Sequence, residues 1–362
     1  MTEGSSTGLP PEDRAPAPDR EPAAEPDAAE PDATASATAP AQATASPSAF
    51  GLTTFVLEGR RAPALFAIGW LGTIAGIGLL TLTLLGATGV AGVVLSVAAY
   101  AALSVGLIML AGSQTVERKA AGAIYAGPSP LLIFLTVIAT SRLAGFAVGL
   151  PLLAVASAIP PAIGDLLGTL VQAVVFLGLL RLTVVGPGVL AWREMGFHGE
   201  RGAALNWAVL GALLAGPVIL VTSLVGYVAV QLAGATPLSP LPPTGTTSGL
   251  VLHLLAGAVL APVYEEALFR GFALTAWRRT VGDRGAIVRS SLLFVIAHVL
   301  FVGGDSFRDA IALAFVGGVV RLPVAFVLGW LYVRTGSIWG PIGLHAAFNA
   351  ILIVLGEVAI AQ

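Results

Sequence analysis

The sequence predicts an all-α fold: a polytopic bundle of about eight to nine transmembrane helices that follows a disordered N-terminal tail. Hydrophobic residues make up 56% of the 362 residues and charged residues only 10%, whereas soluble globular chains usually carry about 25% charged residues. The apolar residues form separate runs of about 20 residues, the length that crosses a bilayer as a helix. The chain has no cysteine, which excludes disulfides, thiolate catalysis and Cys-ligated metals.

The N-terminal segment 1–50 consists mainly of Pro, Ala, Ser, Thr, Asp and Glu. Such a segment buries too little apolar surface to offset its ordering entropy, so we expect a disordered acidic tail on the cytoplasmic side. It has no basic stretch followed by an apolar one, so it is not predicted to be a signal peptide.

The rest of the chain divides into N-terminal transmembrane helices at 51–240 and a catalytic transmembrane domain at 245–355. Nine apolar runs are predicted as helices: about 63–86, 90–112, 129–156, 165–190, 203–234, 249–277, 287–303, 309–333 and 337–361. The third and fifth are long enough to tilt or kink. The pairs Gly72/Gly76 and Gly145/Gly149 fit close helix–helix packing.

Basic residues near the predicted helix ends collect on one side of the membrane. That side carries Arg60, Arg61, Arg118, Lys119, Arg193, Arg201, Arg278, Arg279, Arg284, Arg289 and Arg334. Since basic loops face the cytoplasm, the N-terminus is predicted inside and, with nine spans, the C-terminus outside. One lysine among many arginines, with abundant Ala and Gly, is typical of a high-GC bacterial genome, so we expect a bacterial plasma-membrane protein.

Three polar motifs lie inside the last apolar runs: Glu265-Glu266-x-x-x-Arg270, Phe294-x-x-x-His298 and His345-x-x-x-Asn349. A charged group at the centre of a membrane helix costs roughly 2.5–3.5 kcal/mol on insertion scales, so such groups usually pair, line a wet cavity or do chemistry. Measured from the cytoplasmic ends, Glu265, His298 and His345 lie ~18, ~16 and ~12 Å deep at 1.5 Å per residue. The motifs can therefore meet in one cavity.

The two adjacent carboxylates are predicted to have different tasks. Neighbouring helical residues diverge by about 100°, whereas Arg270 lies one turn after Glu266 on the same face. A Glu266–Arg270 pair leaves Glu265 as the free carboxylate, which suits a general base. The alternative is a plain buried ion pair, in which a second carboxylate has no structural use.

The histidines add further chemistry, although either alone could be a helix–helix hydrogen-bonding residue. His298 could hold a water for Glu265, and His345 with Asn349 one turn later could offer two donors to an oxyanion. These groups suffice for amide hydrolysis without a serine or cysteine nucleophile. Glu265, His298 and His345 could instead bind zinc, although the His-Glu-x-x-His pattern is absent.

The remaining polar residues are expected to have structural roles or to point to a different class of protein. His198, in a loop, and His253, near a helix end, are expected to be structural, and Asp165 and Asp305 are placed in outer loops. Three arginines at membrane depth should face the bundle or a polar cavity: Arg142, Arg181 and Arg321. Carriers of anions use such arginines, so a transporter is a less favoured alternative.

The segments around the three motifs resemble the CPBP family of CAAX-processing and bacteriocin-processing intramembrane proteases, also called Abi proteins. The similar segments are Pro-Val-Tyr-Glu-Glu-Ala-Leu-Phe-Arg-Gly, Ser-Ser-Leu-Leu-Phe-Val-Ile-Ala-His, Gly-Leu-His-Ala-Ala-Phe-Asn and the stretch 329–340. The resemblance covers about 245–355. It implies an endopeptidase that cleaves near the cytoplasmic side, in which Glu265 and His298 activate water and His345 and Asn349 stabilise the oxyanion.

The same resemblance assigns supporting roles to Glu266 and Arg270. The family is described both as metalloproteases and as glutamate-dependent enzymes without metal; we favour the metal-free form because Asn349 is a poor zinc ligand, and zinc is the alternative. The implied partners are membrane lipid and a peptide or membrane-protein substrate, and no nucleic acid is expected. A non-catalytic scaffold or bacteriocin-immunity protein of the same fold is the alternative function.

Overall fold

The computed structural model describes residues 60–236 and 241–360, so the predicted tail at 1–50 lies outside the described residues. Within the described part all regular structure is helical and no strand occurs. Among the described residues, eight helical segments are long and apolar enough to cross a membrane: Pro63–Leu84, Gly89–Ala120, Pro130–Ala158, Pro161–Val185, Arg201–Ala233, Thr247–Val299, Phe307–Thr335 and Trp339–Ile360. The predicted all-α transmembrane fold is confirmed.

Several of these segments are divided by short turns of another helical type or by a break. The α-helices of the described residues are α1 (Pro63–Leu84), α2 (Gly89–Ala120), α3 (Pro130–Leu152), α4 (Pro161–Leu180), α5 (Arg201–Leu213), α6 (Ala215–Ala233), α7 (Thr247–His253), α8 (Ala261–Glu266), α9 (Thr275–Val299), α10 (Phe307–Val319), α11 (Leu322–Thr335) and α12 (Trp339–Ile360). Both spans that are long enough to tilt or kink are interrupted: α3 contains Pro151 and continues as a 3-10 helix, and α5 ends just before Leu214.

The segment Thr247–Val299 is too long to cross the membrane once. Its 53 residues would extend about 80 Å as a straight helix, against a hydrocarbon core of about 30 Å. Gly282, with φ 72° and ψ 177°, breaks the helix inside α9. The chain then returns, because Ser290 Oγ donates to Phe269 O at 2.8 Å and the rings of Phe269 and Phe294 lie 5.2 Å apart. The segment therefore contains two of the nine predicted helices.

The loops that carry many of the basic residues meet at one end of the bundle, which we call the basic end. The contacts there include Lys119 Nζ to Pro187 O, Arg279 Nη2 to Glu194 Oε1 at 2.6 Å and Ile338 N to Gly196 O at 3.1 Å. The backbone N–H of Ala191 and the Arg279 guanidinium hold the pKa of Glu194 below its usual value. The basic end thus joins the loops after α2 and α4, the turn inside α9 and the start of α12.

The two glycine pairs predicted to pack closely behave differently. Gly72 and Gly76 of α1 lie against α2, where a Cβ on Gly76 would come within 2.9 Å of Ala99 O. Gly145 and Gly149 have no atom within 4 Å of such a Cβ. The second prediction is therefore wrong, because that face of α3 packs against no neighbour within the described residues.

Close packing of glycines instead fixes α12, the helix that carries the third motif. A Cβ on Gly343 would lie 2.0 Å from Ala208 O, and one on Gly211 would lie 2.0 Å from Gly340 O. Real Cβ atoms do not approach backbone so closely, so α5 and α12 can cross at this distance only with glycine at both positions. The crossing holds the backbone of α12 in place two residues before His345.

Candidate active site

The ion pair Glu266–Arg270 forms the fully buried floor of the site. Arg270 Nη1 donates to Glu266 Oε1 at 2.9 Å, and both side chains are inaccessible to solvent. Arg270 Nη2 donates to Ala325 O at 3.1 Å, and the guanidinium carbon lies 4.6 Å from the ring centre of Phe294. The i,i+4 spacing predicts this pair, and the structure contains it.

His345 of α12 contacts the same carboxylate. Its Nδ1 lies 2.8 Å from Glu266 Oε1. Because a carboxylate paired with an arginine accepts hydrogen bonds, Nδ1 of His345 is the donor. The other ring nitrogen, Nε2, points toward Glu265, whose Oε2 lies 3.9 Å away. Sequence reasoning missed the Glu266–His345 contact, which joins residues 79 positions apart.

Glu265 differs from its neighbour because its free oxygen faces two imidazole nitrogens, although Oε2 of each carboxylate is buried without a hydrogen bond from the described residues. Oε2 of Glu265 lies 3.7 Å from His298 Nε2 and 3.9 Å from His345 Nε2. These distances exceed those of direct hydrogen bonds. An oxygen atom placed slightly to one side of the line between Oε2 and either Nε2 can reach both of these atoms.

The orientation of His298 follows from its contact with the preceding helical turn. Nδ1 of His298 lies 2.8 Å from Phe294 O. A carbonyl oxygen can only accept, so Nδ1 carries the proton and Nε2 of the neutral ring has the lone pair. Two proton acceptors, Glu265 Oε2 and His298 Nε2, therefore face each other.

Phe294, the first residue of the second motif, received no role in the sequence analysis. Its ring centre lies 4.4 Å from the ring of His298 and 5.8 Å from that of His345. With Arg270 and Phe269 also against this ring, Phe294 is the apolar centre around which the polar side chains pack. The sequence signal for this role was an aromatic residue one helical turn before a histidine.

Asn349 lies one turn after His345 but contacts a different helix. Its Nδ2 donates to Gly257 O at 2.7 Å. Gly257 belongs to the π-helical turn Leu254–Leu260 between α7 and α8, and such turns are frequent at functional sites. An amide nitrogen carries two hydrogens, so this contact leaves one for another acceptor.

The predicted zinc alternative involves Glu265, His298 and His345, where Oε2 of the glutamate lies 3.7 and 3.9 Å from the two Nε2 atoms. Across 60–236 and 241–360, no three His, Asp or Glu side chains are grouped so as to hold a metal ion. His345 donates through Nδ1 to Glu266, a bond that metal-ligating histidines commonly make with the nitrogen that does not bind the metal. Zinc therefore stays the alternative, and the proposed chemical steps use the side chains alone.

The two histidines outside the motifs make structural contacts, as expected. His198 Nε2 lies 3.0 Å from Gly336 O, and His253 Nε2 lies 3.1 Å from Asp165 Oδ2. The prediction that Asp165 is an isolated loop residue is wrong, because it lies near the start of α4 and meets His253. A contact between residues so far apart in sequence depends on how the helices pack.

The three arginines at membrane depth do not share one environment. Arg142 and Arg181 are exposed, so the prediction that they face the bundle or a polar cavity is wrong for Arg181, whereas Arg142 contacts another segment of the bundle. The guanidinium of Arg142 lies 4.0 Å from the ring centre of Phe301, and Arg181, in the last turn of its span, can reach the interface with its long side chain. Arg321 is half-buried.

Fold and site together define a polytopic helical membrane protein with a buried carboxylate–histidine cluster. A family model described as type II CAAX prenyl endopeptidase Rce1-like matches residues 247–351. The match confirms that this segment carries the features of the CPBP or CAAX protease family, and it covers less than a third of the chain. The comparisons with curated proteins and with solved structures gave no match.

Proposed function

We propose that this chain is an intramembrane endopeptidase that hydrolyses a peptide bond of a peptide or membrane-protein substrate. The match of residues 247–351 to a CAAX-type endopeptidase model supports this class. The observation that carries the proposal is the buried Oε2 of Glu265, which has no hydrogen bond and faces two imidazole nitrogens at 3.7 and 3.9 Å. Oε2 of Glu266 also lacks a hydrogen bond, so the proposal rests on the two imidazole nitrogens that face Glu265 and not on the unpaired oxygen by itself.

The proposed base is Glu265, with His298 orienting the water. One hydrogen of the water bonds to Glu265 Oε2 and the other to His298 Nε2, which is the acceptor because Nδ1–H is bonded to Phe294 O. As the water oxygen attacks the peptide carbonyl carbon, its proton passes to Glu265. The protonated Glu265 then gives this proton to the leaving amine when the C–N bond breaks. The products are a carboxyl and an amino terminus.

The proposed oxyanion donors are the free N–H of Asn349 and Nε2 of His345. His345 already donates through Nδ1 to Glu266, so donation through Nε2 requires the ring to carry both protons. The Glu266 carboxylate, which is shared with Arg270, lies in the correct place to stabilise that imidazolium. Glu266 thus serves the reaction by charge and position, while Glu265 transfers the proton.

Proteomic mapping of cleaved termini tests the proposal. Membranes that contain the wild-type chain should produce new protein termini that are absent with Glu265→Gln, and Asp165→Asn is the matched carboxylate control that keeps them. Full rescue of a deletion phenotype by Glu265→Gln would instead favour the scaffold or immunity function. Substrate flux into proteoliposomes that depends on Arg321 would favour a transporter.

Exhaustive chelation distinguishes the metal-free mechanism from the zinc-dependent one. The purified protein is expected to keep its activity after exhaustive chelation, because the proposed base and donors need no metal. Stoichiometric zinc in the protein, with activity lost on its removal and restored by adding it back, would overturn the metal-free form.

The basic end is proposed to face the cytoplasm. The chain enters α1 near Glu117, whose Oε1 accepts from Arg61 N, and α12 ends at the opposite end, where Glu357 accepts from Thr244 N. If the N-terminus lies on the cytoplasmic side, the C-terminus therefore lies on the exterior side. A reporter fused at Gln362 should show exterior activity, and cytoplasmic activity there would reverse the orientation.

A further inference from the structure

Arg321 lies at the break between α10 and α11, on the helix pair that follows His298. Its backbone N–H donates to Gly318 O at 3.1 Å, so Gly317 O does not receive the usual helical amide. The guanidinium replaces that amide, because Arg321 Nη1 donates to Gly317 O at 2.7 Å. This bond fixes one side of the guanidinium at the end of α10.

The same bond holds the guanidinium beside the end of α9, the helix that carries His298. A Cβ on Gly317 would lie 3.4 Å from Arg321 Nη1 and 3.5 Å from Val299 Cγ1. Val299 follows His298 directly, so the guanidinium lies beside the helix end that carries this histidine. Arg321 also interacts electrostatically with both Glu265 and His298.

The remaining N–H groups of Arg321 are available to a ligand. A guanidinium has several donors, and the Gly317 contact is the one hydrogen bond that this side chain makes to the described residues. No carboxylate in that part of the chain lies within ion-pair distance of it. Arg270, in contrast, is fully buried and uses both Nη atoms. The unbonded nitrogens of Arg321 are not fully buried.

We propose that Arg321 is a specificity residue that binds a carboxylate of the substrate close to the cleaved bond; this rests on the proposed endopeptidase function. A cation at membrane depth is costly unless it meets an anion, and a guanidinium binds a carboxylate through two parallel hydrogen bonds. The carboxylate is either a chain terminus or an acidic side chain. Glu265 does not occupy this position, because its free oxygen faces the histidines.

The competing explanation is that Arg321 only balances the charge of Glu265. In that case it would affect all substrates equally, whereas a specificity residue distinguishes a carboxylate from an amide of the same shape. The two explanations therefore predict different outcomes for matched ligand pairs.

Binding of dansyl tripeptides to the full-length protein tests the proposal. One pair is dansyl-Leu-Leu-Leu as free acid and as amide; the other is the amidated Leu-Asp-Leu and Leu-Asn-Leu peptides. All variants carry Glu265→Gln so that no probe is cleaved. With Arg321 present, one of the two carboxylate peptides should bind at least about tenfold more tightly than its partner, and which pair responds identifies the source of the carboxylate.

The variants decide whether this preference belongs to Arg321. Arg321→Gln should abolish it, Arg321→Lys should keep the charge and part of the preference, and Arg142→Gln, which removes an arginine elsewhere in the bundle, should leave it unchanged. Equal binding within both pairs, or an equal loss for acid and amide in Arg321→Gln, overturns the proposal. Binding needs no catalysis, so a preference without proteolysis would refute the endopeptidase function and not this site.

Discussion

Among the described residues, the histidine–carboxylate contacts His253–Asp165 and His298–Glu265 lie in different parts of the bundle and differ in their distances. His253 meets Asp165 at 3.1 Å, a direct contact, and the Asp165 side chain is 38% exposed. His298 lies 3.7 Å from Glu265, whose facing oxygen is buried. The first carboxylate has a direct hydrogen-bonding partner, whereas the facing oxygen of the second has none, and the Glu265 side chain is only 16% exposed.

The difference shows that closeness of a histidine and a carboxylate does not by itself indicate catalysis. In the candidate active site each histidine is fixed by its other nitrogen, His298 by Phe294 O and His345 by Glu266. The nitrogens that face Glu265 are therefore oriented but uncommitted. Preorganised groups of this kind need no rearrangement when charge develops in a transition state.

The largest expected effect is a loss of cleavage activity when Glu265, but not Asp165, is substituted. Glu265→Gln should lower the rate of cleavage by about 10²–10⁴-fold, the usual contribution of a general base, while Asp165→Asn should stay within about twofold of wild type because it lies outside the site. The rates are measured on one substrate in the same lipid or detergent. Comparable losses in both variants would contradict the distinction.

The next largest effect is expected on the free energy of unfolding, which should fall in the Glu266 variant but not in the Glu265 variant. Glu266→Gln leaves the buried Arg270 without its counter-charge, and breaking a buried pair in this way destabilises by about 3–5 kcal/mol. Glu265→Gln should not destabilise, since that carboxylate has no partner to lose. Denaturant unfolding of the two purified variants, beside wild type, measures the difference; equal stability of the two would show that the Glu266–Arg270 pair is not required.

A somewhat smaller effect tests the oxyanion role of Asn349. Asn349→Ala should lower kcat by about 10²–10³-fold, the usual loss for one oxyanion donor, with KM nearly unchanged and metal content unaltered. If KM rises and kcat does not fall, the contact with Gly257 O serves only to position the helices.

The smallest effect is expected at the His253–Asp165 contact. His253→Gln removes one hydrogen bond to a partly exposed carboxylate, which should lower the free energy of unfolding by about 1 kcal/mol and leave the cleavage rate unchanged. Thermal unfolding and the same cleavage assay measure the two quantities. A large loss of activity would make this contact part of the functional machinery and remove the contrast with Glu265.

Local spacing was sufficient for some features of the candidate site and not for others. The Glu266–Arg270 pair follows from residues one helical turn apart on the same face. The contact of His345 with Glu266 does not, because it depends on the rotation of α12 about its axis and on its close crossing with α5 at Gly343. The same limit explains the glycine pairs: the spacing of Gly145 and Gly149 is suitable for packing, but no neighbouring helix reaches them.

Hydropathy and motif spacing were sufficient to predict the class of structure and the candidate chemistry. Long apolar runs force a chain into membrane helices because backbone groups must be hydrogen-bonded within the lipid, and polar residues survive in such runs only for a reason. Only the packing of the helices determines which nitrogen of each histidine faces Glu265 Oε2, and that Arg321 bonds to Gly317 O whereas Arg142 lies against Phe301. These outcomes depend on how the helices rotate and pack against one another, and hydropathy and motif spacing contain no information about that rotation.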